Sequence, residues 1–409
     1  MRFTTRLLHD SFGPDKATGA VTQPLYQSTA FYQETAEDME KIFAGRKPGF
    51  VYTRVGNPTI ASFEMRIRSL EGGVGAVACA SGMAAVSQAV LNVVSQGDEI
   101  VASGGLYGGT SSIFRDLAEF GIRVHYAKGD APEDFAELIT ERTRLLYVET
   151  IGNPKLNVVD IEALAKLAHS YDIPLFVDNT VTTPYLCQPL SLGADVVIHS
   201  TSKALNGNGN SVGGIVISGG RFKWDPARFP KFRQFQFGPM SFSVRLRMRM
   251  VTDYGGCMAP FNAYLTGIGL DTLALRLDRA CTNALELARF LQAQGLAVNY
   301  PGLADSPWHE TAAKQFGKHF GTLLTVRLGT KEKAYRFINA LNYALNVSNI
   351  GDARTLVIHP ASTIFVRSSA EEKEYAGVTD DLVRISVGLE DVEDLLEDFG
   401  QALAKADEM

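Results

Sequence analysis

The stretch VIHSTSKALNGNGNSVGG, residues 197–214, begins like a buried β-strand and then changes character within a few residues. Its apolar start runs into three hydroxyl side chains, Ser200, Thr201 and Ser202, which precede the single lysine Lys203. A loop of Gly and Asn follows before the chain returns to an apolar run at Gly214. A lysine placed just after a buried strand indicates an α/β sheet with functional groups at its strand ends.

The same strand pattern recurs on both sides of this stretch, from about residue 74 to residue 220. Continuous Val, Ile and Leu runs are typical of strands buried on both faces, and their alternation with helical stretches indicates a mostly parallel sheet. The predicted strands are Gly75–Ala80, Glu99–Ser103, Ile122–Ala127, Leu145–Val148, Leu175–Val177, Ala194–His199 and Gly214–Ser218, and the predicted helices include Met83–Val94 and Ile161–His169. The pattern favours a doubly wound α/β domain.

Two further segments lie on either side of this α/β region. Residues 1–60 carry many turn residues and scattered aromatics without strong periodicity, so we expect an arm that is buried against another part of the protein or against another subunit. Residues 61–260 form the predicted α/β domain. Residues 261–409 form a smaller α/β domain, and one long helix from Asn262 to Gln294 is expected to lead into it.

Composition and charge argue against several classes of partner. The 409 residues are 45% hydrophobic and 21% charged, which is typical of a folded protein. The net charge of −6 argues against nucleic acid or an anionic membrane as the main partner. Three closely spaced arginines, Arg245, Arg247 and Arg249, are expected at the solvent or at an interface. Polar residues interrupt the apolar stretch 74–94, so we do not expect it to span a membrane.

The spacing of the cysteines and histidines indicates whether to expect disulfide bonds or a bound metal. The four cysteines form no C-x-x-C pair and the seven histidines show no H-E-x-x-H spacing, so neither a disulfide framework nor a metal site is expected. The start MRFTTRLLHDSF lacks the apolar core of a signal peptide. We therefore expect a cytoplasmic protein with free thiols.

Two of the features that could carry chemistry are strand ends with polar residues. In ACASGMAAVSQAV a strand ends at Ser81-Gly82 and a helix begins at once, which directs free N–H groups and the positive helix end towards a possible phosphate. The alternative is that Ser81 only caps the helix. Asp178 in LFVDNT ends a buried strand, where open α/β sheets bind ligands, or else it caps the next turn.

The other two features are Lys203 and an aromatic residue. Lys203 is either a solubility charge or, behind a buried strand, a partly desolvated nucleophile with a lowered pKa. Tyr107 in SGGLYGGT stands between glycine pairs, which leaves its ring open to a flat ligand. A phosphate cradle, a strand-end carboxylate, a lysine and an open aromatic ring together meet the needs of pyridoxal 5'-phosphate, which forms a Schiff base with a lysine and pairs its pyridinium nitrogen with an aspartate.

The chain resembles the Cys/Met-metabolism family of pyridoxal-phosphate-dependent enzymes, within the aspartate-aminotransferase fold type. The resemblance extends over nearly the whole sequence and is carried by TGAVTQPLYQSTAF, YTRVGNPT, ASGMAAV, GLYGGT, ETIGNP, VDNT, HSTSK, GDARTLVIHPAS and VRISVGLED. It implies fold type I, with a mostly parallel seven-stranded sheet, helices on both faces and a smaller C-terminal α/β domain.

The resemblance also implies roles for individual residues. The cofactor would be bound covalently to Lys203, with Asp178 at its pyridinium nitrogen and Tyr107 stacked on its ring. Its phosphate would be held by Ser81, Gly82, Met83, Ser200 and Ser202, and by Tyr52 and Arg54 from a neighbouring subunit. Asn153 would lie near the phenolic oxygen and the substrate carboxylate, Arg384 would bind that carboxylate, and Asn349 would belong to the substrate side. Lys203 and Tyr107 are the implied catalytic residues. From the sequence pattern alone, Arg384 could instead be a surface charge at a strand edge.

Three local features favour a γ-replacement reaction within this family, as in its sulfhydrylase branch. SNIGDARTLVIHPAS places Asn349 where the methionine γ-lyase branch usually has Ser. Gly109 stands where that lyase has an active-site Cys, and GGCMAPFNAYLTGIGLDTL resembles the sulfhydrylase form of this segment. Against this, the segment from Gly220 to Cys257 is shorter than in many sulfhydrylases.

The implied reaction combines O-acetyl-L-homoserine with sulfide or methanethiol and gives homocysteine or methionine and acetate. The alternatives are a methionine γ-lyase reaction, a cystathionine γ-synthase reaction and, more distantly, a non-catalytic protein that binds a phosphate ligand. The choice between acetyl, succinyl and phospho esters stays open at this stage. Because Tyr52 and Arg54 would complete a neighbour's site, the resemblance implies at least a dimer. We expect a homotetramer built from such dimers, although the choice between dimer and tetramer stays open.

Overall fold

The structure is a computed structural model that describes residues 1–10 and 13–408. Its strands are β1 (Gly75–Cys79), β2 (Glu99–Ser103), β3 (Arg123–Ala127), β4 (Thr143–Glu149), β5 (Leu175–Asp178), β6 (Val196–Ser200), β7 (Gly214–Ser218), β8 (Ala297–Asn299), β9 (Leu323–Arg327), β10 (Leu345–Asn346), β11 (Leu356–Ile358) and β12 (Leu382–Ser386). Each strand predicted between residues 75 and 218 is present, with ends that differ from the prediction by at most two residues.

The α-helices of the same residues are α1 (Phe3–His9), α2 (Ala36–Phe43), α3 (Pro58–Glu71), α4 (Gly82–Leu91), α5 (Gly108–Asp116), α6 (Pro132–Ala136), α7 (Ile161–Ser170), α8 (Thr183–Leu186), α9 (Ser241–Arg245), α10 (Thr252–Tyr254), α11 (Pro260–Leu270), α12 (Leu273–Ala293), α13 (His309–Phe316), α14 (Lys331–Ala340), α15 (Ala370–Tyr375) and α16 (Val392–Asp407). Short 3₁₀ turns cover Leu117–Phe120, Pro189–Leu192, Pro230–Phe232, Gly238–Met240 and Pro360–Ser362, and Leu246–Val251 forms a π-helix.

The chain divides into two compact units, each built from segments that are distant in the sequence. The first unit comprises Met1–Val94, Asp195–Ser202 and Asn210–Asp271, and the second comprises Ser95–Ala194, Lys203–Gly209 and Thr272–Met409. The division at residues 60 and 260 that we expect from the sequence follows the order of the chain, and it stays a prediction.

The first unit contains β1, β7 and β6, with β7 antiparallel to both of its neighbours. Gly214, the first residue of β7, lies opposite Cys79 on one side and Ser200 on the other. The carboxyl ends of β1 and β6 therefore lie at the same edge. A Cβ atom on Gly214 would come within 2.2 Å of the carbonyl oxygen of Ser81, so this close approach requires glycine.

The second unit contains four parallel strands in the order β5, β4, β2 and β3. All five residues of β2 are buried, as expected for a strand covered on both faces. At the carboxyl ends of β4 and β5, Glu149 lies opposite Asp178. The prediction of an α/β fold with a mostly parallel large sheet is confirmed.

A second sheet, also in the second unit, has the strand order β10, β11, β12, β9 and β8. Val383 and Ile385 of β12 belong to a buried apolar core with Leu324, Phe337 and Phe399, and each large side chain buried in this way contributes about 1.5–3 kcal/mol. Because side chains alternate along a strand, Arg384 lies on the opposite face from this core. The predicted smaller C-terminal α/β part is confirmed.

The predicted helix from Asn262 to Gln294 is wrong in one respect, because it is interrupted after Leu270 and resumes at Leu273. Arg66 donates to the carbonyl oxygen of Gly267 at 3.0 Å and to the carboxylate of Asp271 at 2.6 Å. These contacts hold the end of α11, where two glycines already weaken the helix. They join residues about 200 positions apart, so the periodicity of the sequence does not reveal them.

Of the three arginines expected at the solvent or at an interface, Arg249 is largely exposed beside Asp253, whereas Arg245 and Arg247 contact residues of their own chain. Arg245 is buried and donates to the backbone carbonyl and the side-chain oxygen of Asn92. It thereby satisfies a carbonyl at the end of α4 that has no partner inside the helix. Arg247 is half-buried and pairs with Glu64 at 2.6 Å.

The stretch 74–94 is divided between β1 and α4. Within residues 1–10 and 13–408, no helix combines the length and apolar character that a membrane crossing needs. The same residues contain no group of three or more His, Cys, Asp or Glu side chains that could hold a metal ion.

Candidate active site

Lys203 follows β6 by three residues, and its side chain is half-buried. Its ammonium group donates a hydrogen bond of 2.6 Å to Oδ1 of Asn349. Burial, and then the positive charge of Arg384, lower the pKa of Lys203 from its ordinary value to about 8. A lysine with this pKa loses its proton far more readily near neutral pH than an exposed lysine does, so it can act as a base or a nucleophile.

The loop that carries Asn349 approaches the lysine closely because of a glycine. Gly351 adopts φ +67°, and a Cβ atom there would lie 2.6 Å from the backbone nitrogen of Ala204. Any other residue would therefore be strained and would push the loop away from Lys203. The backbone N–H of Gly351 is held by Oγ of Ser386 at 2.9 Å, which fixes the loop against β12.

Arg384 lies on β12 and is only 3% exposed. It donates through Nη1 to Oδ1 of Asn153 at 3.0 Å and through Nη2 to the backbone carbonyl of Asn349 at 3.1 Å. Its Nε has no hydrogen-bond partner in the described chain, although it is buried. Since a buried guanidinium donor without a partner is costly, this group fits a carboxylate ligand and not a surface charge.

Four residues thus lie together in the second unit. They are the anchor lysine and the three substrate-side residues that the resemblance implies: Asn153, Lys203, Asn349 and Arg384. Burial lowers the pKa of Arg384 to about 10, and Arg384 stays a cation at neutral pH. The group therefore combines one permanent positive charge, one lysine that is easily deprotonated and two amides. It can bind a carboxylate and move a proton beside it.

Asp178 is the last residue of β5, and Tyr107 lies in the segment between β2 and α5; both belong to the second unit. One carboxylate oxygen of Asp178 accepts hydrogen bonds from the N–H and the hydroxyl of Thr180 at 3.0 and 2.5 Å. Asp178 therefore caps the following turn, which is the alternative to a ligand-binding role that the sequence left open. The Tyr107 side chain is 38% exposed and precedes α5. Its ring is therefore open, as the flanking glycines of SGGLYGGT suggest.

The start of α4, in the first unit, has the features of an anion cradle. Oγ of Ser81 accepts the N–H of Ala84 at 3.0 Å, so Ser81 is the N-cap that the alternative explanation expects. The N–H groups of Gly82 and Met83 belong to the first helical turn and have no acceptor within the helix. A Cβ atom at Gly82 would lie 2.6 Å from the Cβ atom of Ser200. The two chain segments thus come together only because residue 82 has no side chain.

Ser202 and the pair Tyr52 and Arg54 also lie in the first unit. The hydroxyl of Ser202 exchanges hydrogen bonds with the backbone of Gly213, accepting at 3.0 Å and donating at 3.3 Å. The guanidinium carbon of Arg54 lies 5.5 Å from the centre of the Tyr52 ring, and Arg54 also donates to the carbonyl of Thr252. Tyr52 and Arg54 line an open cavity of about 340 Å³. Their donation to a neighbouring subunit stays a prediction.

Glu149, which lies beside Asp178 at the end of β4, is not among the site residues predicted from the sequence. Glu149 is 6% exposed, and its Oε1 accepts the backbone N–H of Tyr107 at 2.7 Å. Burial, and then the negative charge of Asp178, raise the pKa of Glu149 well above its usual range. The sequence feature that could have indicated Glu149 is its position directly after the apolar strand residues LLYV, as the first residue of ETIGNP.

Comparison with known proteins identifies the family. The family model for Cys/Met metabolism PLP-dependent enzymes matches residues 4–404. An O-acetyl-L-homoserine sulfhydrylase of Corynebacterium glutamicum is 41% identical and covers 97% of this chain and 95% of its own length. A homocysteine synthase of Schizosaccharomyces pombe is 38% identical over 99% of this chain and 98% of its own length.

Solved structures agree with this result. A candidate O-acetylhomoserine (thiol)-lyase of Campylobacter jejuni, which carries a pyridoxyl-lysine phosphate, is 33% identical and superposes with a TM-score of 0.95 over 99% of this chain and 100% of that one. A cystathionine γ-synthase of Xanthomonas oryzae is 31% identical, with a TM-score of 0.89 over 100% and 99% of the two chains. The predicted fold type is confirmed. The chain therefore belongs to the Cys/Met metabolism family of PLP-dependent enzymes.

Proposed function

We propose that this protein catalyses γ-replacement on O-acetyl-L-homoserine, with sulfide or methanethiol as the incoming nucleophile. The C–O bond at Cγ is exchanged for a C–S bond, so the products are homocysteine or methionine and acetate. The observation that carries the proposal is the contact of Lys203 with Asn349, next to Arg384. This contact places a base next to a group that can bind the carboxylate of an amino acid. Relatives named as sulfhydrylases, which match nearly the whole chain, support the same reaction.

The residues present fit pyridoxal phosphate, the cofactor on which the family depends. Gly82 leaves no side chain between the start of α4 and Ser200, which suits a phosphate, and the open Tyr107 ring suits a flat heterocycle. We assign Lys203 as the covalent anchor, Asp178 to the ring nitrogen, Tyr107 to the ring face and Asn153 to the phenolic oxygen. The phosphate ligands in this proposal are Ser81, Gly82, Met83, Ser200, Ser202, Tyr52 and Arg54. When bound, the cofactor serves as an electron sink for negative charge that develops on the substrate carbons.

The side chains of this protein then have separate tasks. Arg384 binds the substrate carboxylate through its planar guanidinium, and its buried Nε provides a donor that no protein group uses. Lys203 takes the proton from Cα and assists removal of a proton from Cβ, before acetate leaves and the sulfur nucleophile adds. Asn349 holds Nζ of Lys203 in place for these transfers. Tyr107 assists the movement of protons beside the ring.

The oligomer and the location are further parts of the proposal. We assign at least a dimer in which Tyr52 and Arg54 reach the neighbour's phosphate site, and a tetramer built from two such dimers. The exposed Tyr52 ring, at 43% exposure, and the open cavity beside it support this assignment. A cytoplasmic location, with no nucleic-acid or membrane partner, completes it.

A panel of substrates tests the reaction. The protein is incubated with O-acetyl-, O-succinyl- and O-phosphohomoserine, each with sulfide, methanethiol, cysteine or no nucleophile. We expect homocysteine from the acetyl ester only when sulfide is present. Rapid 2-oxobutanoate release without a nucleophile would instead identify a γ-lyase, and cystathionine formation from cysteine would identify a cystathionine γ-synthase. Lys203→Ala serves as the inactive control.

A further inference from the structure

Two carboxyl side chains lie next to each other at the ends of neighbouring strands. Glu149 ends β4, Asp178 ends β5, and the two residues are directly opposite in the parallel register. Neighbouring strands lie about 4.8 Å apart, so both carboxyl groups share one small region of the protein. The proposed function uses Asp178 and leaves Glu149, the first residue of ETIGNP, without a role.

The surroundings of Glu149 do not favour a second negative charge. Glu149 is 6% exposed, and the charged group that acts on it is Asp178, on the adjacent strand. Tyr147, on the same strand as Glu149, is buried, and burial followed by the negative charge of Asp178 raises the pKa of Tyr147, so its side chain is neutral. The backbone N–H of Tyr107 donates to Glu149 and favours its charged form, but burial and the charge of Asp178 outweigh this contact and raise the pKa of Glu149. Because Glu149 is buried beside the partly buried Asp178, ionising both carboxyl groups carries a large cost, and the more deeply buried Glu149 is the one that we expect to keep its proton.

Glu149 also holds Tyr107 through the backbone. Its Oε1 accepts the N–H of Tyr107 at 2.7 Å. Tyr107 occupies the N-cap position of α5 but makes no side-chain capping bond, and its ring is open to solvent. The ring is therefore not fixed by burial. The backbone of Tyr107 is held at the N–H by Glu149 and at the carbonyl by the N–H of Ser111, at 3.0 Å, and the contact to Glu149 is the one made by a side chain.

We propose that Glu149 is a positioning residue: a neutral carboxyl whose oxygen holds the backbone of Tyr107, and whose lack of charge leaves Asp178 as the single carboxylate at these two strand ends. The roles of Tyr107 and Asp178 rest on the proposed function. The protonation of Glu149 and its contact with Tyr107 do not, and they can be measured without the cofactor.

Infrared difference spectroscopy tests the protonation directly. Spectra of the cofactor-free protein at neutral pH are compared with those of Glu149→Gln. We expect the variant to lose a carbonyl band of a protonated carboxylic acid. The control Glu119→Gln, which removes an exposed glutamate, should lose carboxylate bands. Loss of carboxylate bands in Glu149→Gln would overturn the proposal, and neither result depends on which reaction the protein catalyses.

Two substitutions of Glu149 separate positioning from general stability. Glu149→Gln keeps an uncharged acceptor oxygen, so we expect kcat within about threefold of the parent and an unchanged pH midpoint of the cofactor's visible absorbance. Glu149→Ala removes the acceptor, and we expect a loss in kcat of about 100-fold through displacement of Tyr107. Equal impairment of both variants, or a shifted midpoint in Glu149→Gln, would contradict the proposal. If Glu149→Ala does not fold, the Glu149→Gln measurements decide alone.

Discussion

Nζ of Lys203 lies 2.6 Å from Oδ1 of Asn349, although 146 positions separate these residues in the chain. Arg384 holds the backbone carbonyl of the same asparagine at 3.1 Å. One asparagine thus connects the lysine to the arginine, and the three side chains keep a fixed geometry. A base and a carboxylate-binding group placed in this way suit an enzyme that removes the α-proton of an amino acid.

Substitution of the lysine tests its double role as anchor and base. We expect Lys203→Ala to lower kcat by at least about 1,000-fold, because the variant lacks both the covalent anchor and the proton acceptor. The measurement is homocysteine formation under saturating substrate. Lys318→Ala, which removes an exposed lysine, is the matched control. Near-normal turnover by Lys203→Ala would refute the assignment.

The lowered pKa of Lys203 predicts a pH-dependent reactivity. As pH rises through about 8, the side chain of Lys203 changes from ammonium to free amine, so its reactivity towards an acylating reagent should increase with a midpoint near that pH. The positive charge of Arg384 contributes to the lowering, and Arg384→Gln should therefore move the midpoint upwards. Peptide mass spectrometry of the cofactor-free protein measures acylation at Lys203. An unchanged midpoint in the variant would contradict the interaction.

Substitution of the arginine tests the carboxylate site. We expect Arg384→Ala to raise KM for O-acetylhomoserine by about 100-fold, since one charge-assisted bidentate contact contributes about 3 kcal/mol. Arg384→Lys should recover only part of this, because an ammonium cannot reproduce the planar fork. Circular dichroism and thermal unfolding check that the variants fold, given that Arg384 is buried. An unchanged KM would exclude Arg384 from this role.

The close approach at Gly82 predicts a specific effect of a single methyl group. In Gly82→Ala the new Cβ would lie 2.6 Å from the Cβ of Ser200, so the helix start and β6 must move apart. We expect a cost of about 1–3 kcal/mol in stability and weaker binding of pyridoxal phosphate. Gly13→Ala, which has open space around its Cβ position, should change neither quantity. Titration with the cofactor and thermal unfolding give both values.

Mixing two inactive variants tests whether subunits share their active sites. Arg54→Ala and Lys203→Ala are each expected to be inactive, yet a mixed dimer would carry both substitutions in one site and neither in the other. After subunit exchange at equal amounts we expect about a quarter of the parent activity, since half of the dimers are mixed and each has one intact site. If no activity returns although mass spectrometry detects mixed dimers, Arg54 acts within its own subunit.

Much of the fold could be predicted because each strand carries its own signal. The apolar runs from Gly75 to Ser218 mark strands that are buried on both faces, and they require no knowledge of their partners. The break after Leu270 and the burial of Arg245 could not be predicted in this way. Both involve contacts to a residue distant in the sequence, Arg66 in the first case and Asn92 in the second.

The residues of the candidate site also divide into those that the sequence predicts and those that only the structure reveals. Lys203, Asp178, Tyr107 and Ser81 stand out because polar residues directly follow strand patterns, and the motifs of the family add Asn153, Asn349 and Arg384. Glu149 was missed, because a glutamate at the end of a strand usually faces solvent. Its buried position and its contact with Tyr107 appear only once the strands are placed side by side.

The order of the amino acids was enough to predict the α/β class, the family motifs and the types of residue available for chemistry. The tertiary structure decided which of them meet: Lys203 with Asn349, Arg384 with Asn153, and Glu149 with Tyr107. It also decided their protonation. A pKa is set by burial and by neighbouring charges, and around Lys203 both come from residues that only the fold brings near.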